Sequence, residues 1–492
     1  MVLQQSTPIQ FNKTDRIAPP GPPNLPLVGT LPFLNKYLHL ELHQLAKKYG
    51  NIFQLHVGGR KLVVLNELEA IKEALVENKD SCSGRADFAI YRQKPMTYFM
   101  ESKSGQSWEN HHKISGQVMR TFISGKLDIH ESWVMDEVTE LTNIFVNSQD
   151  LPINSNLYLT LATLSFMHRL LFDQKNSLND LQEDSNFVKL TRGLGKLDEM
   201  ALHITKLQII PLILRPIYAL SKFKLIIGFF QELTSVDPYF EKLIGDHRES
   251  FDPNKLRDMT DGLLKASSEL TETDYNNLKI SEDDIITGTL FQFTAAGGFI
   301  PSLFLRWALL YMIAYPDIQA KIHEEIDSVV GKEQQVSFKD RSKLPFTEAC
   351  INEVFRHSSS TVMPPFVYGT NDDVTLDGYF IPKNTPLLIN YYSLTRDERY
   401  WKQPEQFNPY RFLDENGKLR NNLLENFYPF GVGARRCIGE YLGRFLVFTF
   451  FTNLMHKCRF EKASGDKLSF APHQLGLMIG PQNYKIKAKP RF

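Results

Sequence analysis

The residue of this chain best suited to chemistry is a cysteine in a glycine-rich turn. The turn contains, in order, Phe430, Gly433, Arg435, Cys437 and Gly439, and an apolar run that predicts a helix follows it. Glycine allows positive φ angles and lets the backbone approach a flat partner closely. Backbone amides, the start of a helix and nearby arginines all favour a thiolate, which is a good axial ligand for haem iron. The alternative is a buried structural thiol, the usual state of a free cysteine.

A second group of residues carries charge at helical spacing. Glu353 and Arg356 lie at positions i and i+3, on one face of a predicted helix, and Arg411 follows in a later stretch rich in proline and aromatic residues. A Glu–Arg pair at this spacing is common on protein surfaces and is a weak signal alone. A buried set of charges is tolerable only if its members satisfy one another, and here three are present.

The length, charge balance and cysteine content of the chain limit the classes of protein to which it can belong. The 492 residues exceed one ordinary core, so two or three subdomains are expected. Lysine plus arginine (56) balance aspartate plus glutamate (56), so nothing in the overall charge indicates nucleic acid. The four cysteines are far apart, which argues against a disulfide framework or a zinc ribbon and suits a reducing compartment. Residues 1–17 are polar and contain no apolar run long enough for a membrane anchor or a signal peptide.

The turn around Cys437 resembles the haem-binding loop of the cytochrome P450 family, Phe-x-x-Gly-x-Arg-x-Cys-x-Gly, and matches it at every defined position. The resemblance implies a mainly α fold with a small β-rich part, treated as one domain over residues 18–492. It implies haem b with the Cys437 thiolate on iron. It also implies that Glu353, Arg356 and Arg411 form a buried network that holds the segment presenting this loop.

The same resemblance implies the residues that hold the cofactor. Family members have a tryptophan followed four residues later by an arginine, both near the haem propionates; here Trp108 is kept and His112 replaces the arginine. A neutral histidine is a weaker propionate partner, and the alternative is that His112 is only a surface residue. A second family contact, a histidine, is replaced by Pro365. The cofactor-binding set is therefore Trp108, His112, Phe430, Gly433, Arg435 and Gly439.

A long helix is predicted to cross the molecule. A capping-box-like start at Ser281 and Asp284 opens a helix that continues to about Tyr315, which makes it ~34 residues and ~50 Å long. In the resembling family this helix passes over the haem and carries an Ala/Gly-Gly-x-acid-Thr-Thr core. Here the corresponding residues are Ala296, Gly297, Gly298, Phe299, Ile300 and Pro301.

This core departs from the family pattern at its catalytic residues. The glycines are kept and are expected to make room for substrate and oxygen. The acid has become Phe299 and the alcohol Ile300, and neither side chain can donate a proton. Pro301 is expected to kink the helix. Thr294 and Ser302 lie nearby and are the candidate substitutes for the lost proton donors.

Two further surfaces are predicted from position and composition. Phe99, Phe293, Val362 and Leu477 are expected to line the substrate pocket. The apolar stretch 207–230 is broken by prolines and flanked by basic residues, so it does not span a membrane but is suited to contact with the membrane surface. The alternative is a buried pair of short helices beside the pocket.

Three functions fit these features. The first is a monooxygenase of a lipophilic, sterol- or steroid-like substrate, with O2 and electrons from NADPH-cytochrome P450 reductase. The second is an O2-independent isomerase or dehydratase of a hydroperoxide, and the third is a haem-binding protein without turnover. The reductase is expected to dock on a basic face formed by His111, His112, Lys113, Arg120 and Arg436.

The finer resemblance concerns the group within the family and the location in the cell. The chain looks like the animal microsomal group, and its Gly-Gly core without acid or threonine is similar to the Spook group of ecdysteroid synthesis. It is therefore expected at the endoplasmic reticulum membrane as a peripheral protein, or alternatively in the cytoplasm.

Overall fold

A computed structural model describes residues 16–492 except for a set of loop segments and one long stretch. Those exceptions are residues 27, 31–36, 58–59, 89–90, 92–96, 98, 149–151, 179–184, 186, 194–237, 359–366 and 475–477. The apolar stretch 207–230 and the residues Val362, Pro365 and Leu477 therefore lie outside the described residues.

Helices make up most of the described chain. In order they are α1 (Leu38–Tyr49), α2 (Leu68–Lys72), α3 (Lys79–Cys82), α4 (Gly105–Ile123), α5 (Leu127–Asn147), α6 (Ser155–Phe172), α7 (Met259–Ser268), α8 (Glu272–Leu278), α9 (Thr289–Ala314), α10 (Pro316–Val329), α11 (Pro345–Ser358), α12 (Tyr391–Leu394), α13 (Asn421–Leu424) and α14 (Glu440–Lys457). Residues 187–193 and 238–249 are also helical. Short π-helical turns cover Glu73–Glu77 and Asp284–Gly288, and 3-10 turns cover Met100–Ser102, Phe338–Lys343 and Pro409–Phe412.

The strands are few and short. They are β1 (Ile52–Val57), β2 (Arg60–Leu65), β3 (Gly84–Arg85), β4 (Tyr368–Gly369), β5 (Val374–Leu376), β6 (Tyr379–Ile381), β7 (Pro386–Ile389), β8 (Cys458–Lys462), β9 (Pro472–Gln474), β10 (Ile479–Pro481) and β11 (Ile486–Pro490). The main sheet has the order β1-β2-β7-β4-β3, and the remaining strands form the pairs β5-β6, β9-β10 and β8-β11. The alternation of apolar and polar residues from Ile52 to Leu65 predicts a β-hairpin. The structure confirms this pairing, because β1 and β2 are antiparallel, and β7 then joins β2 in parallel.

Helix α9 is the centre of the main hydrophobic core. The helical run that continues as α9 begins where predicted, just before the π turn Asp284–Gly288, with a complete capping box. The Ser281 amide donates to Asp284 Oδ2 at 2.9 Å, and the Asp284 amide donates to Ser281 Oγ at 3.1 Å. Helix α9 ends before Pro316, which starts α10. Apolar residues cover nearly its whole circumference, as in a helix enclosed on all sides.

One described helix, residues Asp284–Ala314, is long and apolar enough to cross a membrane. In the structure 78% of its apolar window is buried inside the protein. The core helix of a globular protein can have the same length and apolar composition. The burial of α9 therefore explains why this helix resembles a membrane span.

Two smaller clusters stand beside this core. One lies around the main sheet and α2, and includes Leu65, Ile71 and Leu387. The other contains Trp401, Phe412 and Phe427, and it packs under the segment that leads to the Cys437 turn. The fold thus surrounds that turn with α4, α11, the π turn Glu73–Glu77 and the cluster around the main sheet.

Candidate active site

The turn that carries Cys437 is closed by its own backbone. The Cys437 amide donates to the Phe430 carbonyl at 2.9 Å. Gly431 and Gly433 have φ angles of 79° and 76°, in the region that favours glycine. A Cβ on Gly433 would lie 2.1 Å from the Leu75 carbonyl oxygen, so no other residue fits where the turn crosses α2 and its π turn.

Phe430 and Gly439 anchor the two ends of the turn. The Phe430 ring lies 5.4 Å from the ring of Phe355 on α11, and the Arg444 guanidinium of α14 lies 4.8 Å above it. Gly439 has a φ of −90° and is the residue that precedes α14, so it does not supply a positive φ. It is instead close to the sulfur, because a Cβ there would lie 3.9 Å from Cys437 Sγ.

Two groups that were expected to favour a thiolate at Cys437, the Gly439 amide and the Arg436 charge, do act in that direction, but burial of the sulfur opposes them more strongly. The side chain is exposed on one side, but the surrounding protein desolvates the sulfur and raises its pKa to about 11, although the Gly439 amide and Arg436 act in the opposite direction. Glu101 and Glu440 add to the increase. A thiolate at this position therefore depends on a bound metal ion, which deprotonates a coordinating thiol.

Three buried nitrogen atoms beside the turn have no hydrogen-bond partner among the described residues. They are Trp108 Nε1, His112 Nε2 and Arg435 Nη1. The Arg435 guanidinium lies 3.7 Å from the centre of the Trp108 ring, and the rings of Trp108 and His112 are 5.3 Å apart. Buried polar groups are nearly always hydrogen bonded, so three orphans in one place indicate a polar ligand group.

The charge of Arg435 also lacks full compensation. Its Nε and Nη2 donate to the carbonyls of Ser83 and Lys103 at 3.0 and 2.8 Å, which fixes the guanidinium. Its carboxylate contact in the described part of the chain is Glu101 at 3.9 Å, and Glu101 is paired more closely with Arg85 at 2.6 Å. Burial, together with Arg85, lowers the Arg435 pKa to about 9. An anion next to Arg435 would offset this cost.

The two neighbouring histidines of α4 differ in their surroundings. Burial lowers the pKa of His112, so this histidine is neutral near pH 7. His111 is fully buried, its Nε2 lies 2.9 Å from Thr289 Oγ1, and burial lowers its pKa to about 3. The expectation that His111 belongs to an exposed basic face is therefore wrong.

The middle of α9 has one solvent-accessible face, which we call the open face. Ala296 is exposed, and Phe299 and Ile300 are partly buried, although the helix on both sides of them is buried. These three residues occupy one face, since they lie at positions i, i+3 and i+4. This face is apolar and offers no proton donor.

The two glycines of α9 do not make room for a ligand, which corrects a second expectation. A Cβ on Gly297 would lie 2.6 Å from Met167 Cε, and one on Gly298 would lie 2.2 Å from Leu164 Cδ2. Both neighbours belong to α6. The missing side chains therefore let α6 and α9 pack closely.

The remaining predicted residues of α9 are buried and bonded locally. Thr294 Oγ1 donates to the Leu290 carbonyl at 2.8 Å, and Ser302 Oγ donates to the Phe299 carbonyl at 2.7 Å. Phe293 is buried. Phe99, which lies before α4, is also buried. The centre of its ring is 5.6 Å from the centre of the Phe291 ring on α9.

Glu353, Arg356 and Arg411 are brought together in the interior. Arg356 Nε and Nη2 donate to the two Glu353 oxygens at 2.7 and 2.8 Å, and both side chains are 0% exposed. Arg411 Nε lies 3.2 Å from Glu353 Oε1. Arg356 also donates to backbone carbonyls of the segment that precedes Arg411, namely those of Thr395, Pro404 and Gln406. Sequence spacing does not reveal these carbonyl partners.

Comparison with known proteins decides the family. The family model described as Cytochrome P450 matches residues 19–488. The chain belongs to the cytochrome P450 family. This P450 is 34% identical over 460 residues to the polybrominated aromatic compounds synthase of Pseudoalteromonas luteoviolacea (strain 2ta16), which covers 94% of this chain and 92% of that protein.

Animal members of the family are similar over equal lengths. The P450 is 32% identical over 475 residues to cytochrome P450 2J1 of Oryctolagus cuniculus, with 96% of this chain and 91% of that protein covered. It is 30% identical over 469 residues to cytochrome P450 1A1 of Rattus norvegicus, with 92% and 87% covered. The predicted fold class and the resemblance to the animal microsomal type are confirmed, and the protein is a haem-thiolate oxidoreductase of the monooxygenase type.

Proposed function

We propose that Cys437 is the thiolate ligand of the haem iron, and that the P450 oxidises a lipophilic substrate with O2 and electrons from NADPH-cytochrome P450 reductase. One observation carries the proposal: three buried donors without partners, Trp108 Nε1, His112 Nε2 and Arg435 Nη1, lie beside the turn in which Cys437 is exposed. The other cysteines, Cys82, Cys350 and Cys458, are buried.

The three orphan donors fit the carboxylates of haem. Arg435 supplies a fixed positive charge, and Trp108 supplies an indole N–H in contact with it. His112, which is neutral, donates through Nε2 in one tautomer. When bound, haem supplies the redox chemistry that activates dioxygen. The chain's own part is to hold the cofactor edge and to orient the substrate against the apolar face of Ala296, Phe299 and Ile300.

This arrangement makes Arg435 the residue with the largest contribution to holding the cofactor's carboxylates. Replacing it with leucine removes charge-assisted hydrogen bonds worth about 1.5–3 kcal/mol, so haem affinity is expected to fall roughly 10- to 100-fold. The measurement is the rate of haem transfer to a scavenging apoprotein. Arg436→Leu is the matched control, because the neighbouring Arg436 side chain is 61% exposed and paired with Glu440. Equal rates of haem loss in the two variants would contradict the role of Arg435.

The substrate is a flat or ring-containing lipophilic molecule. The face formed by Ala296, Phe299 and Ile300 carries no charged group, so it selects by apolar contact. The similarity of the Gly-Gly core to the Spook group favours a sterol or steroid. The name of the bacterial relative instead suggests a polybrominated aromatic compound. Both classes belong in the first substrate panel.

The reductase is proposed to dock beside the Cys437 turn. Lys113, Arg120 and Arg436 are exposed, and α4 packs against the turn because a Cβ on Gly116 would lie 3.0 Å from Ile438 Cδ1. A basic face guides an acidic partner. We place the P450 peripherally at the endoplasmic reticulum membrane, with contact through residues 207–230; a cytoplasmic location is the alternative.

A second candidate function has one specific observation in its favour. Phe299 and Ile300 replace the acid and the alcohol, and the nearby Thr294 hydroxyl is committed to the Leu290 carbonyl of its own helix. Rearrangement or dehydration of a hydroperoxide needs no external electrons and no proton delivery to dioxygen. The candidate is therefore an O2-independent isomerase or dehydratase.

Cofactor consumption separates these functions. With purified reductase and a panel of sterols and polybrominated aromatic compounds, we expect substrate-dependent NADPH oxidation with formation of an oxidised product. Turnover of a fatty-acid hydroperoxide under argon, without NADPH use in air, would replace this function with the isomerase or dehydratase. Failure of both assays with haem bound would indicate a haem-binding protein without turnover.

A further inference from the structure

A row of polar groups runs through the otherwise apolar contact between α6 and α9. The two helices are antiparallel here, and the groups meet at three levels about one helical turn apart. Arg306 Nε donates to Asn156 Oδ1 at 2.8 Å, Thr160 Oγ1 to Ser302 Oγ at 3.2 Å, and Thr163 Oγ1 to the Gly298 carbonyl at 2.7 Å. We call this row the polar seam, and its members are Asn156, Thr160, Thr163, Gly298, Ser302 and Arg306.

The outer end of the seam reaches solvent. Asn156 is only partly buried, and its Nδ2 donates to Oδ1 of the exposed Asn483 at 2.9 Å. Arg306 is 7% exposed and has no acidic side chain within ion-pair distance in the described part of the chain. A buried guanidinium without a counter-charge orders water where it meets the surface.

The inner end of the seam reaches the open face of α9. Ser302 Oγ donates to the carbonyl of Phe299, a residue of that face, at 2.7 Å. Pro301 has no backbone N–H, so the Gly297 carbonyl lacks its helical donor and is free to accept from water. The seam therefore ends beside Phe299 and Ile300, where the family's acid and alcohol are missing.

Buried hydroxyls that bond only to carbonyls of their own helix do not connect one helix to another. The Thr160 and Thr163 hydroxyls also lie 2.9 and 3.0 Å from carbonyls of α6, those of Asn156 and Leu159, which are the usual acceptors of buried helical threonines. The single proton of each hydroxyl therefore has an acceptor on α6 and another on α9. The additional contacts to α9 are what is unusual, because they lie in register from the surface to the open face of α9. The close packing that brings them together depends on Gly298.

We propose that the polar seam delivers protons to the open face of α9 in place of the missing acid–alcohol pair. Thr160 takes a proton from water at the Asn156 end while it passes its own proton to Ser302. Ser302 passes its proton to water held at the carbonyls of Gly297 and Phe299, and each hydroxyl is neutral again at the end. Electrons come from NADPH through the reductase, and two protons are consumed for each oxygen atom reduced to water.

Proton delivery by the polar seam rests on the proposed O2-dependent function. The experiment below distinguishes failure of the seam from failure of that function. Thr160→Val keeps the shape of the side chain and removes the hydroxyl, whereas Thr160→Ser keeps the hydroxyl. Because proton transfer by a positioned group contributes 10²–10⁴-fold, we expect Thr160→Val to lower product formed per NADPH at least about tenfold, with more hydrogen peroxide released. Its rate is also expected to show a larger solvent isotope effect in D2O.

The controls distinguish the effect of losing the Thr160 hydroxyl from a general effect on folding. Thr160→Ser and Thr452→Val are expected to match the wild type, since Thr452 is fully buried and donates to the Phe448 carbonyl within α14, as Thr160 does within α6. Ser302→Ala is a second, independent interruption of the seam and is expected to behave like Thr160→Val. Haem content identifies any variant that fails to fold.

Each outcome decides between the proposals. If the wild type couples NADPH oxidation to product and both interrupted variants do so equally, with unchanged isotope effects, the seam is overturned and the O2-dependent function stands. If the wild type has no NADPH-dependent turnover, both proposals fail together. If Thr160→Val and Ser302→Ala lose coupling while Thr160→Ser and Thr452→Val keep it, the seam is supported.

Discussion

Glu353→Gln is expected to lower the free energy of unfolding by about 3–5 kcal/mol, because removing one partner of a buried ion pair leaves the other charge buried and uncompensated. The Glu353 carboxylate accepts from Arg356, from Arg411 and from the Asn408 amide at 2.7 Å. Glutamine offers one carbonyl oxygen and no charge, so both guanidinium groups lose their counter-charge in the interior. The variant is expected to yield little folded, haem-containing protein.

The measurement is the shift of the urea unfolding midpoint relative to a matched substitution at an exposed ion pair. Glu282 contacts Arg248 at 2.8 Å, and both side chains are about half exposed (47% and 49%). Exposed pairs contribute about 0–1 kcal/mol, so Glu282→Gln is expected to leave the midpoint nearly unchanged. Similar midpoints for Glu353→Gln and Glu282→Gln would show that the buried network does not stabilise the fold.

Local signals in the sequence were sufficient for several elements. The capping box at Ser281 and Asp284, the long helical run from there to the end of α9 and the β1-β2 hairpin all follow from residues close together in the chain, and the structure contains each of them. The turn at Cys437 followed in part, because glycine there indicated the positive φ angle of Gly433, whereas Gly439 has a negative one. Such features need no knowledge of the neighbouring helices.

What covers a helix face could not be predicted in the same way. Periodicity shows that Gly297 and Gly298 belong to a helix, but only the packed structure shows that Met167 and Leu164 occupy the space beside them. His111 appeared to belong to a basic run, and it is buried because α4 rotates it toward Thr289. Long-range packing determines these positions, and no local pattern encodes it.

The polar seam and the partners of Arg356 were missed for the same reason. Thr160 and Ser302 are 142 positions apart, and each resembles an ordinary helix hydroxyl. The Thr395 and Pro404 carbonyls that bind Arg356 lie 39 and 48 positions away. A family resemblance indicated that charged residues meet, whereas the backbone acceptors became visible only in the fold.

Cys437→Ser is expected to abolish turnover and to remove the thiolate from the haem iron, whereas Cys458→Ser is expected to do neither. The two thiols have similar pKa values of about 11, both raised mainly by burial. They differ in position: Cys437, although desolvated by the surrounding protein, is exposed on one side in the turn beside the orphan donors, whereas Cys458 is buried at the start of β8. The substitution at Cys458 therefore controls for the loss of a buried sulfur.

The absorption spectrum of the reduced, carbon monoxide-bound protein tests this assignment most directly. We expect the strongly red-shifted Soret band of a haem-thiolate in the wild type and in Cys458→Ser, and its loss in Cys437→Ser that still contains haem. A wild-type spectrum without that band, or a Cys437→Ser spectrum that keeps it, would contradict Cys437 as the ligand and the account of the site built around it.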